Sequence, residues 1–194
     1  MKQFIVIAGV SGVGKTTLAQ VLARQYGLRA VLEQHAERPF QILFERDKKF
    51  ALANQIDYLL YRAEQERALR QDGKPFVVDG GLDVDFHVFT RLFYEHGWLS
   101  AAEFDLCRRF YEHTRSLLPP PDLIIHLTAP QEIVRARLAS RQRINIASAE
   151  DAALQETFTQ DWLSALPPER VLRADVSNET QTYAALLTRI QNWL

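Results

Sequence analysis

Apolar and polar positions along the 194-residue chain fall into short blocks that switch between an unbroken run and a helical period. Phe4–Ala8 is a continuous apolar run, as expected of a strand covered on both faces. From Thr16 to Tyr26 the residues Leu18, Val21 and Leu22 recur at helical spacing. Arg29–Leu32 reads as a short second strand. Over Phe50–Arg70, Leu52, Ile56, Leu59, Leu60 and Ala63 form one apolar stripe, which predicts a long helix ended by Gly73-Lys74-Pro75. Phe76-Val77-Val78 is a third strand that stops at Asp79-Gly80-Gly81. Helices are predicted over Asp85–His96 and Ala101–Leu117, and Pro119-Pro120-Pro121 prevents the second from continuing. Leu123–Leu127 is a fourth strand, and Pro130 opens a helix that reaches Arg141. A further helix spans Glu150–Leu163, Val171-Leu172 is a weak fifth strand, and Thr180–Trp193 closes the chain as a helix. Strands alternating with helices predict α/β architecture around a parallel sheet.

The first strand runs into Gly9-Val10-Ser11-Gly12-Val13-Gly14-Lys15-Thr16, which satisfies G-x-x-x-x-G-K-[ST] at every fixed position. An apolar strand precedes the motif and a helix follows it, the context a phosphate-binding P-loop requires. The glycines let backbone N–H groups converge on phosphate oxygens, and the helix end adds its positive dipole. Gly9 through Thr16, with Thr17, are therefore the candidate contacts of ATP. Lys15 is expected to reach the β- and γ-phosphates and Thr16 to ligate Mg²⁺. The alternative is a glycine-rich turn without a ligand. Asp79 ends a buried strand, at the edge where open α/β sheets bind ligands, and is expected to share the metal with Thr16. Its alternative is an acidic turn beside two glycines. The expected fold is a P-loop NTPase fold: three layers, a five-stranded parallel sheet flanked by helices, and an arginine-bearing lid. The chain is expected to form one kinase domain over residues 1–194 with a lid at about 137–150.

That lid is read from Arg135, Arg137, Arg141 and Arg143, four arginines within nine residues. Arg137 and Arg141, four apart, share a helical face. Phosphoryl transfer spreads charge over the γ-phosphate oxygens, which arginines stabilise. The competing reading is a solvated charged face.

Composition narrows the classes. Hydrophobic residues make up 47% and charged residues 24%, with a net charge of −1, so no global basic field favours nucleic acid or a membrane surface. The five-residue apolar start is too short for a membrane span. The single Cys107 excludes an intramolecular disulfide and fits a reducing compartment, so a cytoplasmic protein is expected. Cys107 reads as a packed residue, and the five histidines show no metal-ligand spacing.

The spacings from the P-loop, from Gln55 and from Asp79 resemble the deoxynucleoside kinase family, over residues 3 to 163. The resemblance implies ATP with Mg²⁺ as phosphoryl donor, a nucleoside-like small-molecule acceptor phosphorylated at its 5′-hydroxyl, and a homodimer. Glu33 resembles the catalytic glutamate that takes the hydroxyl proton. Phe50-Ala51-Leu52-Ala53-Asn54-Gln55 resembles the W-x-F-x-x-Q helix, which places Gln55 on the base with Arg62 two turns on. Asp85 falls on the base-reading aspartate, Phe89 on the stacking phenylalanine, and Arg137-x-x-x-Arg141-x-Arg143 on the lid arginines. The residue chemistry agrees: Phe50 and Phe89 can cover a flat ring, Gln55 carries an amide, and Asp85 accepts from an amino group. Against this, Gln55 and Arg62 could be ordinary helix surface, Phe89 core, and Glu33 a solvent residue with Glu37 as the base. Gly80, Phe44 and Ile146 depart from the family, standing where it has an arginine, a tyrosine and a glutamate at the sugar end of the substrate. Two further functions compete. One is a P-loop kinase of another small alcohol or of a nucleoside monophosphate, for which Arg38, Arg46 and Arg62 are candidates. The other is a catalytically weakened ATP-binding regulator.

Overall fold

A computed structural model of the chain describes residues 4–32, 38–139, 149–180, 182–191 and 193. In chain order the elements are β1 (Phe4–Ala8), α1 (Lys15–Tyr26), β2 (Arg29–Val31), α2 (Pro39–Arg46), a 3₁₀ turn (Lys48–Phe50), α3 (Ala51–Asp72) and β3 (Phe76–Asp79). There follow α4 (Leu82–Val84), a π-helical turn (Asp85–Thr90), α5 (Arg91–Glu95), α6 (Ala101–Leu117) and β4 (Leu123–Thr128). The chain continues through α7 (Gln131–Ala139), α8 (Ala149–Ser164), a 3₁₀ turn (Pro168–Arg170), β5 (Val171–Asp175) and α9 (Ala184–Gln191). These elements fall into two compact units. Met1–Glu33, Lys74–Gly80 and Pro121–Leu194 form one; Gln34–Gly73 and Gly81–Pro120 form the other.

The first unit holds the sheet. Its five strands are parallel and ordered β2-β3-β1-β4-β5. β1 sits in the middle, which is why its five residues are all apolar and all buried. Ile5, Ile7, Leu123, Ile125 and Leu127 form one core with Leu18 and Leu22 of α1 and Leu186 and Ile190 of α9. Side chains alternate along β4, so His126 points to the opposite face, where Nε2 lies 3.3 Å from Glu156 Oε2 on α8. Helices therefore cover both faces, the three layers of a P-loop fold. β1 and β3 pair with Ile7 opposite Asp79, and the Gly80 N–H donates to the Ile7 carbonyl at 3.0 Å. The register thus brings the loop after β1 and the Asp79 carboxylate to one sheet edge.

The second unit is helical. The predicted apolar stripe on α3 is only part of its buried face: Leu59 is buried and Leu52 and Ile56 pack against its cluster, but Leu60 is 44% exposed, and Ala51, Gln55, Arg62, Glu66 and Leu69 complete the buried face at helical spacing. Half of that face is polar because each of Gln55, Arg62 and Glu66 meets a partner on another segment. α2 was not signalled by any apolar stripe, and Phe44 is its one buried residue. Phe44 stacks on Phe93 at 4.7 Å and packs with Ala51 and Leu99. The helix expected over Asp85–His96 starts three residues earlier and is interrupted by the π turn. In the first unit β5 is longer than expected, with Arg173 and Asp175 exposed on an edge strand. The closing helix is shorter, starting after Tyr183, whose φ of 52° leaves the helical region.

Candidate active site

The loop between β1 and α1 is shaped by glycine. Gly9, Gly12 and Gly14 have φ of 137°, 84° and 115°. A Cβ on Gly9 would lie 2.5 Å from the Leu127 carbonyl oxygen, and one on Gly14 would clash with the Tyr183 hydroxyl. The first turn of α1 carries no acidic residue, so its unbonded N–H groups and positive end are left to an anion. Lys15 Nζ donates to the Val10 carbonyl at 3.2 Å, folded along the loop it serves. Thr16 Oγ1 donates to Asp79 Oδ2 at 2.5 Å. Asp79 is 2% exposed and its Oδ1 has no hydrogen-bond partner among the described residues. A buried carboxylate oxygen without a partner beside a hydroxyl is the hard-oxygen donor set that suits Mg²⁺, which needs only one or two protein oxygens besides phosphate and water.

Two side chains brace this loop from outside it, and neither bracing contact was legible in the sequence. The Tyr183 hydroxyl donates to the Gly14 carbonyl at 3.1 Å. Arg137 donates through Nη1 to the Val13 carbonyl at 2.8 Å and through Nη2 to the Val176 carbonyl at 3.1 Å. Arg137, expected to touch ATP, thus ties the phosphate loop to the segment after β5. Glu33, the fallback base Glu37, Arg141, Arg143 and Ile146 lie outside the described residues, as does most of the expected lid.

In the helical unit Gln55, Arg62, Asp85 and Phe89, the residues expected to face the ring, come together around one π turn. Arg62 Nε donates to Asp85 Oδ2 at 2.9 Å, with the two side chains only 5% and 10% exposed. Gln55 Nε2 donates to the Asp85 carbonyl at 3.3 Å and to Thr90 Oγ1 at 2.8 Å. The Thr90 hydroxyl in turn donates to the Asp85 carbonyl at 3.0 Å. Gln55 and Arg62 are therefore buried and paired, not helix surface. Phe89 is half-buried on the same turn. Phe50, the other proposed ring cover, packs on the separate cluster of Phe44, Ala51, Phe93 and Leu99, with Lys49 Nζ 5.1 Å from its ring centre.

A second buried cluster went unseen in the sequence. Arg115 of α6 donates to Asp83 at 2.9 and 2.6 Å and to Glu66 at 2.8 and 2.9 Å. The Tyr111 hydroxyl donates to Asp83 Oδ1 at 2.8 Å and lies 3.1 Å from His87 Nε2. Burial pushes the His87 imidazole down to about 4; Asp83 pulls it up, while Arg115 and Arg91 push it further down. Burial and then the Asp83 charge raise the Tyr111 phenol, so it stays a donor. Burial pushes the Cys107 thiol up to about 11, which leaves it an inert packing residue, as its position implied.

Comparison with known proteins fits this geometry. The chain is 25% identical over 179 residues to the deoxyadenosine/deoxycytidine kinase of Bacillus subtilis, covering 90% of this chain and 82% of that protein. It is 29% identical over 140 residues to the deoxyadenosine kinase of Dictyostelium discoideum, covering 72% and 57% respectively. The solved structure of a deoxyadenosine kinase from M. mycoides with bound dCTP superposes with a TM-score of 0.79 at 20% identity, over 98% of this chain and all of that one; this likeness is one of fold. The family model described as deoxynucleoside kinase matches residues 5–193, and the chain therefore belongs to the deoxynucleoside kinase family, whose members are ATP-dependent kinases of nucleoside 5′-hydroxyls.

Proposed function

We propose that this kinase phosphorylates nucleosides whose ring carries an exocyclic amino group, and that Gln55, Arg62 and Asp85 read that ring. The observation that carries this reading is the Arg62–Asp85 pair at 2.9 Å. An arginine held on it aims the Asp85 carboxylate, an acceptor that suits a ring donor. Phe89 and Phe50 are assigned to the ring faces.

On the donor side, Gly9 to Thr17 and Lys15 hold the triphosphate of ATP, and Arg137 shapes that site through the Val13 carbonyl it grips. Thr16 and Asp79 would hold Mg²⁺, which when bound neutralises charge on the β- and γ-phosphate oxygens. Glu33 is assigned the removal of the 5′-hydroxyl proton, and Arg141 and Arg143 the charge on the transferring phosphoryl group, each by the family resemblance. Residues 1–194 are taken as a single kinase domain, with the lid at about 137–150. Exposed Leu106 and Leu117 on α6 and Leu60 on α3 support assembly as a homodimer. No helix among the described residues is long and apolar enough to cross a membrane, and we place the enzyme in the cytoplasm on its single, buried cysteine.

A monophosphate acceptor would need arginine to spare. Of the three candidates, Arg38 is bound at both forks to Asp57, at 2.5 and 2.6 Å, and Arg62 is bound to Asp85, while Arg46 is exposed at the end of α2; the two engaged arginines support a neutral nucleoside instead. Initial rates with a panel of nucleosides at fixed ATP·Mg²⁺ test the reading. Cytosine or adenine nucleosides should turn over, and replacing them with uracil or hypoxanthine should cost about 2 kcal/mol in kcat/KM, the penalty of an unpaired buried acceptor. Equal rates for both sets would remove Asp85 from ring recognition.

A further inference from the structure

We propose that Thr90 is a specificity-positioning residue: its hydroxyl, with the Asp85 carbonyl, locks the Gln55 amide so that Oε1, an acceptor, is the atom turned away from them. The argument rests on counting hydrogens. Around the end of the Gln55 side chain lie the Asp85 carbonyl oxygen at 3.3 Å and Thr90 Oγ1 at 2.8 Å. Thr90 Oγ1 is also 3.0 Å from that same carbonyl. A carbonyl only accepts, and a threonine hydroxyl has one hydrogen to give. With the Gln55 nitrogen inward, its two N–H groups serve the two oxygens and the Thr90 hydrogen serves the carbonyl, so every group is paired. With Oε1 inward, three oxygens would share one hydrogen, and lone pairs would face each other with no donor between them. Gln55 is 2% exposed and Thr90 fully buried, so water does not repair that arrangement. The amide orientation is therefore fixed by chemistry.

The π turn gives this arrangement its purpose. Asp85 and Thr90 are its first and last residues, five apart, and the Thr90 hydroxyl reaches back to the carbonyl of the first. Such turns interrupt a regular helix and recur at functional sites. Here the turn joins the carbonyl and hydroxyl that hold Gln55 to the carboxylate that Arg62 holds. Two acceptors, Gln55 Oε1 and the Asp85 carboxylate, are thus fixed on one buried cluster. Without Thr90, rotating the amide by half a turn would present N–H donors in place of Oε1, and a ring bearing a carbonyl would then be accepted.

This inference rests on the ring-reading role proposed above for Gln55, and the experiment has two arms. In the first, kcat/KM for an adenine nucleoside over its hypoxanthine counterpart, and for cytosine over uracil, is measured for the wild type, Thr90→Ser and Thr90→Val. The ratio should fall about tenfold in Thr90→Val, through KM more than kcat, and stay within about threefold of wild type in Thr90→Ser, which keeps the hydroxyl; a tenfold change is the free energy of roughly one hydrogen bond. An unchanged ratio in folded Thr90→Val overturns the proposal. Thr90→Ala replaces it if Thr90→Val does not fold. The second arm needs no substrate. The Gln55 side-chain amide hydrogens, assigned by their loss in Gln55→Leu, should be protected from solvent exchange in wild type and Thr90→Ser. Fast exchange in wild type overturns the lock, whether or not any Thr90 variant folds. If the wild type phosphorylates no nucleoside, the acceptor reading falls, and the exchange arm alone decides the lock.

Discussion

Lys15 shows how much of a site one residue can announce. Its place in the sequence motif predicts a phosphate contact, and the loop geometry around it follows from three glycines at positive φ. In the structure its ammonium rests on the Val10 carbonyl at 3.2 Å, a contact a phosphate would replace with a stronger, charge-assisted one. Lys15→Ala should therefore lower phosphoryl transfer by roughly 10³-fold, the scale of removing one transition-state cation, without changing thermal unfolding. Steady-state rates with purified protein check this, and turnover within a few fold of wild type would remove Lys15 from the mechanism. Gln55, Arg62 and Asp85 were singled out by the family resemblance, yet the bonds that join them were not legible. Thr90 is one buried hydroxyl between Phe89 and Arg91, and nothing in a linear pattern says which carbonyl it reaches. Tyr183 is harder still, since it meets Gly14 across 169 positions of sequence. Phe44 stands where the family has a tyrosine at the sugar end of the substrate, and its ring packs in a core with Phe93 and Trp98 that no apolar stripe announced.

Among elements, those with a local cause were legible and those with a distant one were not. β1, β3 and β4 are buried on both faces and write themselves as apolar runs. α6 begins with a capping box, Ser100 with Glu103, and its limits match the expectation. α3 misled because periodicity counts apolar residues only. Its buried face carries Gln55, Arg62 and Glu66, which are affordable only because α6 and the turn after β3 supply partners. Arg115 makes this dependence testable. It joins α6 to Glu66 on α3 and to Asp83 on α4, and its guanidinium pairs with two carboxylates that are both nearly inaccessible. Arg115→Met keeps most of the side-chain volume and leaves Asp83 buried without the cation it pairs with, while Glu66 keeps Arg70 at 2.8 Å. The loss should be about 3–5 kcal/mol of stability, the cost of an uncompensated buried charge. Urea unfolding followed by circular dichroism checks it; a loss under about 1 kcal/mol, the range of a surface pair, would mean water reaches the cluster.

For the whole molecule, the same cluster sets how stability depends on pH. His87 is held near 4 in the folded chain, first by burial, against an unfolded value of 6.5. A depressed histidine favours folding when neutral, so its contribution is complete above the unfolded value and is lost as pH falls from 6.5 toward 4. The groups facing it do not reverse the sign: Asp83 opposes the shift, but Arg115 and Arg91 reinforce it. Carboxylates held low by hydrogen bonds, such as Asp47 to Lys49, Glu103 to Ser100 and Asp175 to Ser177, act in the same direction but only at lower pH, below their ordinary values of 3.8 to 4.5. Between pH 7 and pH 5 the slope should therefore belong chiefly to His87, and linkage gives a loss of about 2 kcal/mol over that range. His87→Gln keeps an N–H to meet the Tyr111 oxygen and removes the titration. Urea unfolding at pH 7 and pH 5 should show wild type losing that stability and His87→Gln losing about 1 kcal/mol less or better. Equal losses in the two proteins would show that His87 protonates freely in the folded chain and that the Asp83–Tyr111–His87 chain is open to solvent.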